Sequence, residues 1–152
     1  MKHSELVEIA YKWVLKRCGV AFKEITCQNK EIPDVIGFRS DYSFLIEAKT
    51  SKSDFLVDKK KSFRINPSEG VGDFRFFIAV EGLLKIEDLP KDWGLIEVNE
   101  KGKVVKEYNP FGGGNMYGSW FKVPKNREAE TNIMYSALRR NFDLIKNSNY
   151  NK

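Results

Sequence analysis

Two carboxylates and a lysine stand at the ends of two neighbouring apolar segments early in the chain. Asp34 precedes the run "VIGF", and Glu47 and Lys49 close the run "SFLIEAK". A charge taken out of water without a partner is costly or shifts its pKa, so these residues must face solvent or act together. Residues two apart on a strand point to one face, so Glu47 and Lys49 share a face and Ala48 points into the core. The hairpin between the two runs brings Asp34 back beside that face.

This set of residues is typical of a site for a hard divalent cation. Neighbouring carboxylates raise each other's pKa, and a cation relieves the repulsion. Mg²⁺ prefers oxygen ligands and keeps several waters, so we expect Asp34, Glu47 and the backbone carbonyl of Ala48 to hold it, with Mn²⁺ able to substitute. Lys49 is then placed to orient or activate a water for attack on a phosphodiester. Taken singly, each residue is more simply a turn aspartate or an exposed strand residue, and it is their combination that favours the site.

Composition excludes several other kinds of chemistry. The single histidine, His3, lies near the N-terminus, so Ser-His-Asp or Cys-His catalysis and histidine-based zinc sites are not expected. The net charge of +5 permits a nucleic acid or another polyanion as partner without requiring one.

The cellular location is predicted from three absences in the sequence. The two cysteines, Cys18 and Cys27, form no C-x-x-C motif, which favours a reducing cytoplasm. No run of about 18 apolar residues is present, so we expect no membrane span. The N-terminus has charges from its second residue and does not resemble a signal peptide.

The length of 152 residues predicts one domain over 1–147, followed by a frayed tail at 148–152. Apolar periodicity and turn residues predict an α/β fold with a mixed central sheet flanked by helices. We expect three apolar residues of the second helix to face inward, Phe55, Leu56 and Phe63, and five of the last helix to lie on one side: Ile133, Ala137, Leu138, Leu144 and Ile145. The predicted helices are 4–17 (capped by Ser4), 51–64 and 126–147, and the predicted strands are 20–27, 32–38, 42–49, 74–80, 93–99, 102–108 and 119–123.

The same residues carry a resemblance to a known family. "PD" at Pro33-Asp34, twelve intervening residues and "EAK" at 47–49 resemble the motif of the PD-(D/E)xK nuclease superfamily. The stretch "IEAKTSKSDFLVDKK" is similar to the E-x-K-[ST]-S-x-x-D-F-x-x-D-x-K signature of small MmcB-type DNA-repair and phage proteins. The likeness continues through "FRFFIAVEGLLKIEDLPKDWGLIEV" and the late pair Arg139-Arg140, and covers about residues 30–140.

The resemblance implies a restriction-endonuclease-like fold that hydrolyses phosphodiester bonds in DNA with Mg²⁺. By motif position, Asp34 and Glu47 are metal ligands and Lys49 positions the water. Some relatives add a glutamate from the first helix, for which Glu8 is the first candidate and Glu5 the second, each otherwise a solvated helix charge. Further residues that match or approach the site are Glu24, which could face Asp34 across the sheet, and Asp54 and Asp58, which match the signature.

Two surface features are candidates for DNA contact. Lys59, Lys60, Lys61 and Arg64 form a basic helix face suited to phosphates, or simply a solvated one. The glycine-rich loop 111–118 lacks a phosphate-loop motif and is either a DNA-contacting flap or a plain hairpin tip. The predicted function is a DNA nuclease in repair, recombination or phage and mobile-element DNA processing. The alternative is a catalytically silent DNA-binding or protein-binding module, and a homodimer or partner protein is left open.

Overall fold

The computed structural model describes residues 1–25, 31–112 and 123–150, with side chains described through residue 148. Within these residues, four helices and six strands follow one another, together with short 3-10 turns at Pro67–Glu69 and Ile86–Asp88. The helices are α1 (His3–Leu15), α2 (Lys52–Lys59), α3 (Ser62–Ile65) and α4 (Arg127–Tyr150), and the strands are β1 (Val20–Lys23), β2 (Val35–Phe38), β3 (Ser43–Ala48), β4 (Phe74–Val80), β5 (Trp93–Val98) and β6 (Val104–Tyr108).

The six strands form one mixed sheet in the order β1-β2-β3-β4-β5-β6. The first three strands are antiparallel neighbours, β3, β4 and β5 are parallel, and β6 returns antiparallel to β5. A parallel pair requires a crossover connection, and α2 and α3 lie in the connection from β3 to β4. The predicted α/β fold with a mixed sheet flanked by helices is confirmed.

Apolar side chains cover both faces of the sheet, which is why the central strands are almost entirely buried. On one face, Trp13 of α1 packs edge-on against Phe44, with ring centroids 5.8 Å apart. On the other, Phe77 stacks on Trp93 at 4.4 Å and meets the ring of Phe55 from α2. Charged residues on the second face must therefore find partners near the ends of the strands.

Helix α1 lies close against β2 because Gly37 presents no side chain to it. A Cβ at Gly37 would lie 2.1 Å from Val14 Cγ1 and 3.0 Å from Cys18 Sγ. The helix begins at His3, one residue before the predicted start, and Ser4 does not cap it. Instead, the backbone N–H of Lys2 donates to Glu5 Oε2 over 2.6 Å. The earlier start places His3 in the first turn of the helix.

The predicted helix 51–64 is divided into two. Ser51 caps α2, with its Oγ accepting from the N–H of Asp54 at 3.1 Å, but α2 ends at Lys59 and α3 starts at Ser62. The interruption changes the helical phase, so a single periodicity does not predict which side chains face inward. Leu56 is exposed, contrary to the prediction, whereas Arg64 is buried.

Helix α4 is anchored to the sheet at its start and extends beyond it. Glu130 Oε2 accepts from Ser43 Oγ at 2.6 Å and from the N–H of Gly72 at 2.7 Å, and Lys125 Nζ lies 2.8 Å from Glu130 Oε1. Ile133 is buried. Ala137 is buried as well, so the prediction holds for two of the five residues. The other three are exposed because they follow the last turn that packs on the sheet: Leu138, Leu144 and Ile145.

The remaining predictions concern the end of the chain and the loop before α4. The last helix continues through Tyr150, three residues beyond its predicted end at 147. The glycine-rich loop 111–118 and the predicted strand 119–123 lie mostly outside the described residues. In the part of the chain that is described, no helix has both the length and the apolar character needed to cross a membrane.

Candidate functional site

Asp34 lies just before β2 and reaches across to the end of β3. The strands pair with Val35 opposite Ile46, so the next residues outward are Asp34 and Glu47. Asp34 Oδ2 accepts the backbone N–H of Ala48 at 2.8 Å. The predicted meeting of Asp34 with the Glu47–Lys49 segment is therefore confirmed.

The same register leaves the carbonyl of Ala48 without a strand donor opposite it. The β2–β3 pairing ends at Val35 and Ile46. Continued outward, that register would put Pro33 opposite Ala48, and proline has no N–H to donate. The N–H and C=O of a strand residue point to the same side, and the Ala48 N–H points at Asp34. The Ala48 carbonyl therefore faces the Asp34 side, where it was predicted to act as a metal ligand.

Glu47 is buried and held by an arginine rather than by the lysine of its own strand. Arg64 Nη2 lies 3.1 Å from Glu47 Oε1, with both side chains almost fully buried. Burial raises the pKa of Glu47 well above its usual value; Arg64 opposes this rise, whereas the neighbouring Asp34 and Asp58 add to it. Arg64 alone therefore does not offset the effect of burial and of the neighbouring carboxylates on the pKa of Glu47.

Lys49 faces α2 from the end of β3 and pairs with its carboxylates. Its Nζ lies 3.5 Å from Asp58 Oδ1 and 3.9 Å from Asp54 Oδ2, and the Lys49 side chain is 7% exposed. Burial would raise the pKa of Asp58, but Arg64 and Lys49 outweigh it and hold that pKa below its usual value. The two aspartates of the sequence signature thus fix the ammonium group that the motif assigns to water positioning.

Arg64 is the centre of this arrangement, and its position corrects a prediction. It was predicted on an exposed basic face, yet its side chain is 1% exposed and lies against three carboxylates. Its Nε donates to Asp58 Oδ2 at 2.8 Å and its Nη1 donates to Glu31 Oε1. Glu31 also accepts the N–H of Val71 at 3.0 Å. No sequence signal marked Glu31, whereas Asp58 was marked by the signature.

A second group forms around Asp34 at the start of α1. His3 Nε2 lies 3.3 Å from Asp34 Oδ2, and His3 Nδ1 lies 3.9 Å from Glu24 Oε1. The three side chains bring one ligand atom each within 4.8 Å of one another, a spacing that could hold a metal ion. Glu24 also donates its backbone N–H to the Asp34 carbonyl at 2.9 Å. Glu24 was expected near Asp34, whereas His3 was set aside because it lies so close to the N-terminus.

The glutamates of the first helix are placed elsewhere. Glu8 Oε2 accepts from Lys23 Nζ at 2.7 Å, and this bond lowers the pKa of Glu8 below its usual value. Glu5 caps the start of α1. Glu8 therefore pairs with Lys23 on the surface. Among the described residues, no contact joins Glu8 to Asp34, beside which it was predicted to bind the metal.

The three lysines after Asp58 differ in how far they are available to a partner. Lys59 Nζ donates to the carbonyl of Asp88 at 2.6 Å, so its ammonium is already bound. Lys61 Nζ lies 3.3 Å from Asp58 Oδ1 but is half exposed. Lys60 is exposed. Of the predicted basic face, Lys60 and Lys61 are thus open to solvent, and Arg64 is not part of that face.

The donors present fit a hard divalent cation. Asp34, Glu47 and the Ala48 carbonyl offer oxygen atoms at one end of β3, and oxygen ligands are what Mg²⁺ and Mn²⁺ take. His3 and Glu24 extend the donor set on the α1 side.

Comparison with known proteins gives support for the fold alone. No protein-family model matches the chain, and no curated protein matches it. Among solved structures, the chain is similar to the SPO1766 protein of unknown function from Silicibacter pomeroyi, with 18% sequence identity and a TM-score of 0.57. The likeness covers 98% of this chain and 95% of that one, so the whole architecture is shared.

Proposed function

We propose that this protein is a Mg²⁺-dependent deoxyribonuclease of the PD-(D/E)xK type with a restriction-endonuclease-like fold. The observation that carries the proposal is the 2.8 Å bond from the Ala48 N–H to Asp34 Oδ2. It joins the aspartate of the "PD" motif to the strand that bears Glu47 and Lys49, as that chemistry needs. We place the enzyme in the cytoplasm, in DNA repair, recombination or phage and mobile-element DNA processing.

Each residue of the site has a role that its position supports. Asp34, Glu47 and the Ala48 carbonyl are the proposed ligands of Mg²⁺, for which Mn²⁺ could substitute. When bound, the cation would supply Lewis-acid stabilisation of charge and a lowered pKa of water. Lys49 is proposed to orient the attacking water with its ammonium, which Asp58 holds at the end of β3.

DNA is the proposed substrate because of the basic residues beside the site. Lys60 and Lys61 are exposed two and three positions after Asp58, and ammonium groups on a surface bind phosphates through a sequence-independent electrostatic attraction. Only Lys59 separates this basic pair from Asp58, which holds Lys49, so a DNA backbone bound by the pair would lie close to the reactive groups.

Cleavage assays with isosteric variants test the proposal. Purified protein is incubated with supercoiled, linear and single-stranded DNA in Mg²⁺, Mn²⁺ or EDTA. Asp34→Asn and Glu47→Gln should lower metal-dependent cleavage by about 100-fold or more, because a lost metal ligand costs at least as much as a lost supporting residue. Glu8→Gln is the matched control and should cut like the wild type. Equal cleavage by all four proteins would refute the assignment.

A second candidate function is a DNA-binding module that keeps the fold without turnover. The observation that favours it is the Arg64–Glu47 pair, because an internal guanidinium already supplies a cation to the proposed ligand. Filter binding or fluorescence anisotropy with and without Mg²⁺ separates the two functions. A module without a metal site should bind DNA with an affinity that falls with salt and is insensitive to Mg²⁺ beyond its ionic strength.

A further inference from the structure

We propose that Arg64 is the internal counter-ion of the metal site, and that a divalent cation binds Glu47 by displacing the Arg64 guanidinium. This inference rests on the proposed function and concerns how that same site is regulated. It makes Arg64 a positioning residue that sets the metal affinity, rather than a ligand or a DNA contact.

The Arg64 guanidinium is surrounded by carboxylates. It touches Glu31, Glu47 and Asp58 with a different nitrogen for each. Carboxylates in a buried environment need positive partners, and here three carboxylates contact one guanidinium.

Lys49, the lysine of the motif, is not the counter-ion of Glu47. Lys49 lies within ion-pair distance of Asp54 and Asp58 and not of Glu47. Among the described residues, Arg64 is the cationic side chain in ion-pair contact with Glu47. A metal ion that took Glu47 as a ligand would therefore meet a positive charge 3.1 Å from one of its two oxygens. A cation that bound both oxygens of Glu47 would need the one that Arg64 holds, and at that separation the two positive charges would repel each other.

Space for a displaced Arg64 side chain lies beside it. A cavity of about 330 Å³ borders Arg64, and Pro67, Lys91, Asp92 and Trp93 also line it. The guanidinium carbon already lies 4.8 Å from the Trp93 ring centroid and 4.9 Å from that of Phe63, and aromatic faces attract a cation. Release from Glu47 would thus leave Arg64 bonded to Glu31 and Asp58 and beside these rings.

Displacement of Arg64 would also affect Lys60 and Lys61, the proposed DNA-contacting residues. Arg64 lies in α3, a helix of four residues that follows Lys60 and Lys61 directly. A helix that short has little stability of its own, so its position depends on side chains such as Arg64. Movement of Arg64 would therefore change the positions of Lys60 and Lys61. Metal binding and DNA binding would then depend on each other.

The test measures metal affinity rather than cleavage. Mn²⁺ binding is followed by calorimetry and by the metal-induced rise in Tm for the wild type and for Arg64→Gln. Removing the competing guanidinium should tighten Mn²⁺ binding by about tenfold or more. Arg64→Lys keeps one charge with a shorter reach, and it should fold even if the glutamine variant does not, with an intermediate affinity.

Two controls separate this effect from a loss of stability. Arg75 is also a buried arginine, but it binds the carbonyls of Gly72, Pro67 and Pro124, so Arg75→Lys should lower Tm without tightening Mn²⁺ binding. In the ¹H–¹⁵N spectrum of the wild type, Mg²⁺ should shift the Arg64 Nε–H signal, assigned by its loss in Arg64→Lys. The indole N–H of Trp13, on the opposite face of the sheet, should stay in place.

The outcomes distinguish this inference from the function on which it rests. Tighter binding in Arg64→Gln, abolished by Glu47→Gln, supports displacement. Equal or weaker Mn²⁺ binding in Arg64→Gln, with both proteins still dependent on Glu47, would leave the metal site standing and overturn the role of Arg64. The absence of any Glu47-dependent Mn²⁺ binding in either protein would refute the metal site itself.

Discussion

Arg64 Nη2 lies 3.1 Å from Glu47 Oε1, although the two residues belong to a four-residue helix and to the end of a central strand. Lys49, which is only two positions from Glu47, pairs with Asp58 instead. The ammonium of Lys49 thus pairs with α2, and the carboxylate of Glu47 receives its counter-ion from α3. Stability and metal affinity at this end of the sheet should depend on the same few side chains.

Asp58 should be the most important of these side chains for stability. It accepts from Arg64 at 2.8 Å and also faces Lys49, with its own side chain 1% exposed. Asp58→Asn should lower the free energy of unfolding by about 3–5 kcal/mol, the usual cost of breaking a buried ion pair. Urea unfolding followed by circular dichroism measures it.

Asp54→Asn is the matched control for that experiment. Asp54 faces the same Lys49 from 3.9 Å but is half exposed, so its loss should cost under about 1 kcal/mol. If the two variants lost equal stability, the buried network would not be what holds α2 and α3 to the sheet.

The pH dependence of stability should show the raised pKa of Glu47. Folding raises that pKa from 4.5, so between pH 4.5 and the raised value the folded protein holds more protons than the unfolded chain. The free energy of unfolding must therefore fall as the pH rises through this window. Glu47→Gln, which cannot titrate, should flatten that fall in urea titrations at a series of pH values.

The carboxyl of Asp58 gives the opposite slope in a different range. Its pKa is lowered from 3.8, so its stabilising effect is present above pH 3.8 and is lost as the pH falls through the lowered value. The two effects can be separated because they lie on different sides of pH 4. A wild-type profile that rises steadily from pH 4.5 to 7 would contradict the assignment for Glu47.

How much of this site the sequence could predict depends on the range of the interactions. Asp34 and Glu47 were placed correctly because a hairpin and strand alternation are local and follow from apolar spacing. Arg64 was misplaced because the break between α2 and α3 changes the helical phase, and no apolar repeat records that break. His3 was missed because its position depends on α1 packing against β2, a contact between distant parts of the chain.

That packing can be tested at Gly37. A methyl group there would meet Val14 Cγ1 at 2.1 Å, and Val14 is fully buried. Gly37→Ala should therefore cost about 1–3 kcal/mol, as overpacking of a core does. Gly19→Ala is the control, since a Cβ at Gly19 meets nothing within 4 Å, and its thermal unfolding should match the wild type. An unchanged Tm for Gly37→Ala would show that α1 does not lie this close to β2.

The thiol of Cys18 should be unreactive in the folded protein. Burial raises its pKa to about 11, against the opposing charges of Arg39 and Arg17, and the thiolate is the reactive form. In a Cys27→Ser variant, a disulfide reagent at pH 8 should label Cys18 only after denaturant is added. The variant lacking both cysteines gives the background, and fast labelling in native buffer would contradict the buried position.

The salt dependence of DNA binding should identify which lysine contacts phosphate. Each phosphate neutralised by a lysine contributes about 0.9 to the slope of log affinity against log salt concentration. Lys60→Ala should weaken binding and reduce that slope by about 0.9, because Lys60 is exposed. Lys59→Ala should leave the slope unchanged, because its ammonium is bound to the Asp88 carbonyl at 2.6 Å. Fluorescence anisotropy over a range of NaCl concentrations measures both, and equal slopes for the wild type and Lys60→Ala would remove the basic pair from the proposed DNA-binding surface.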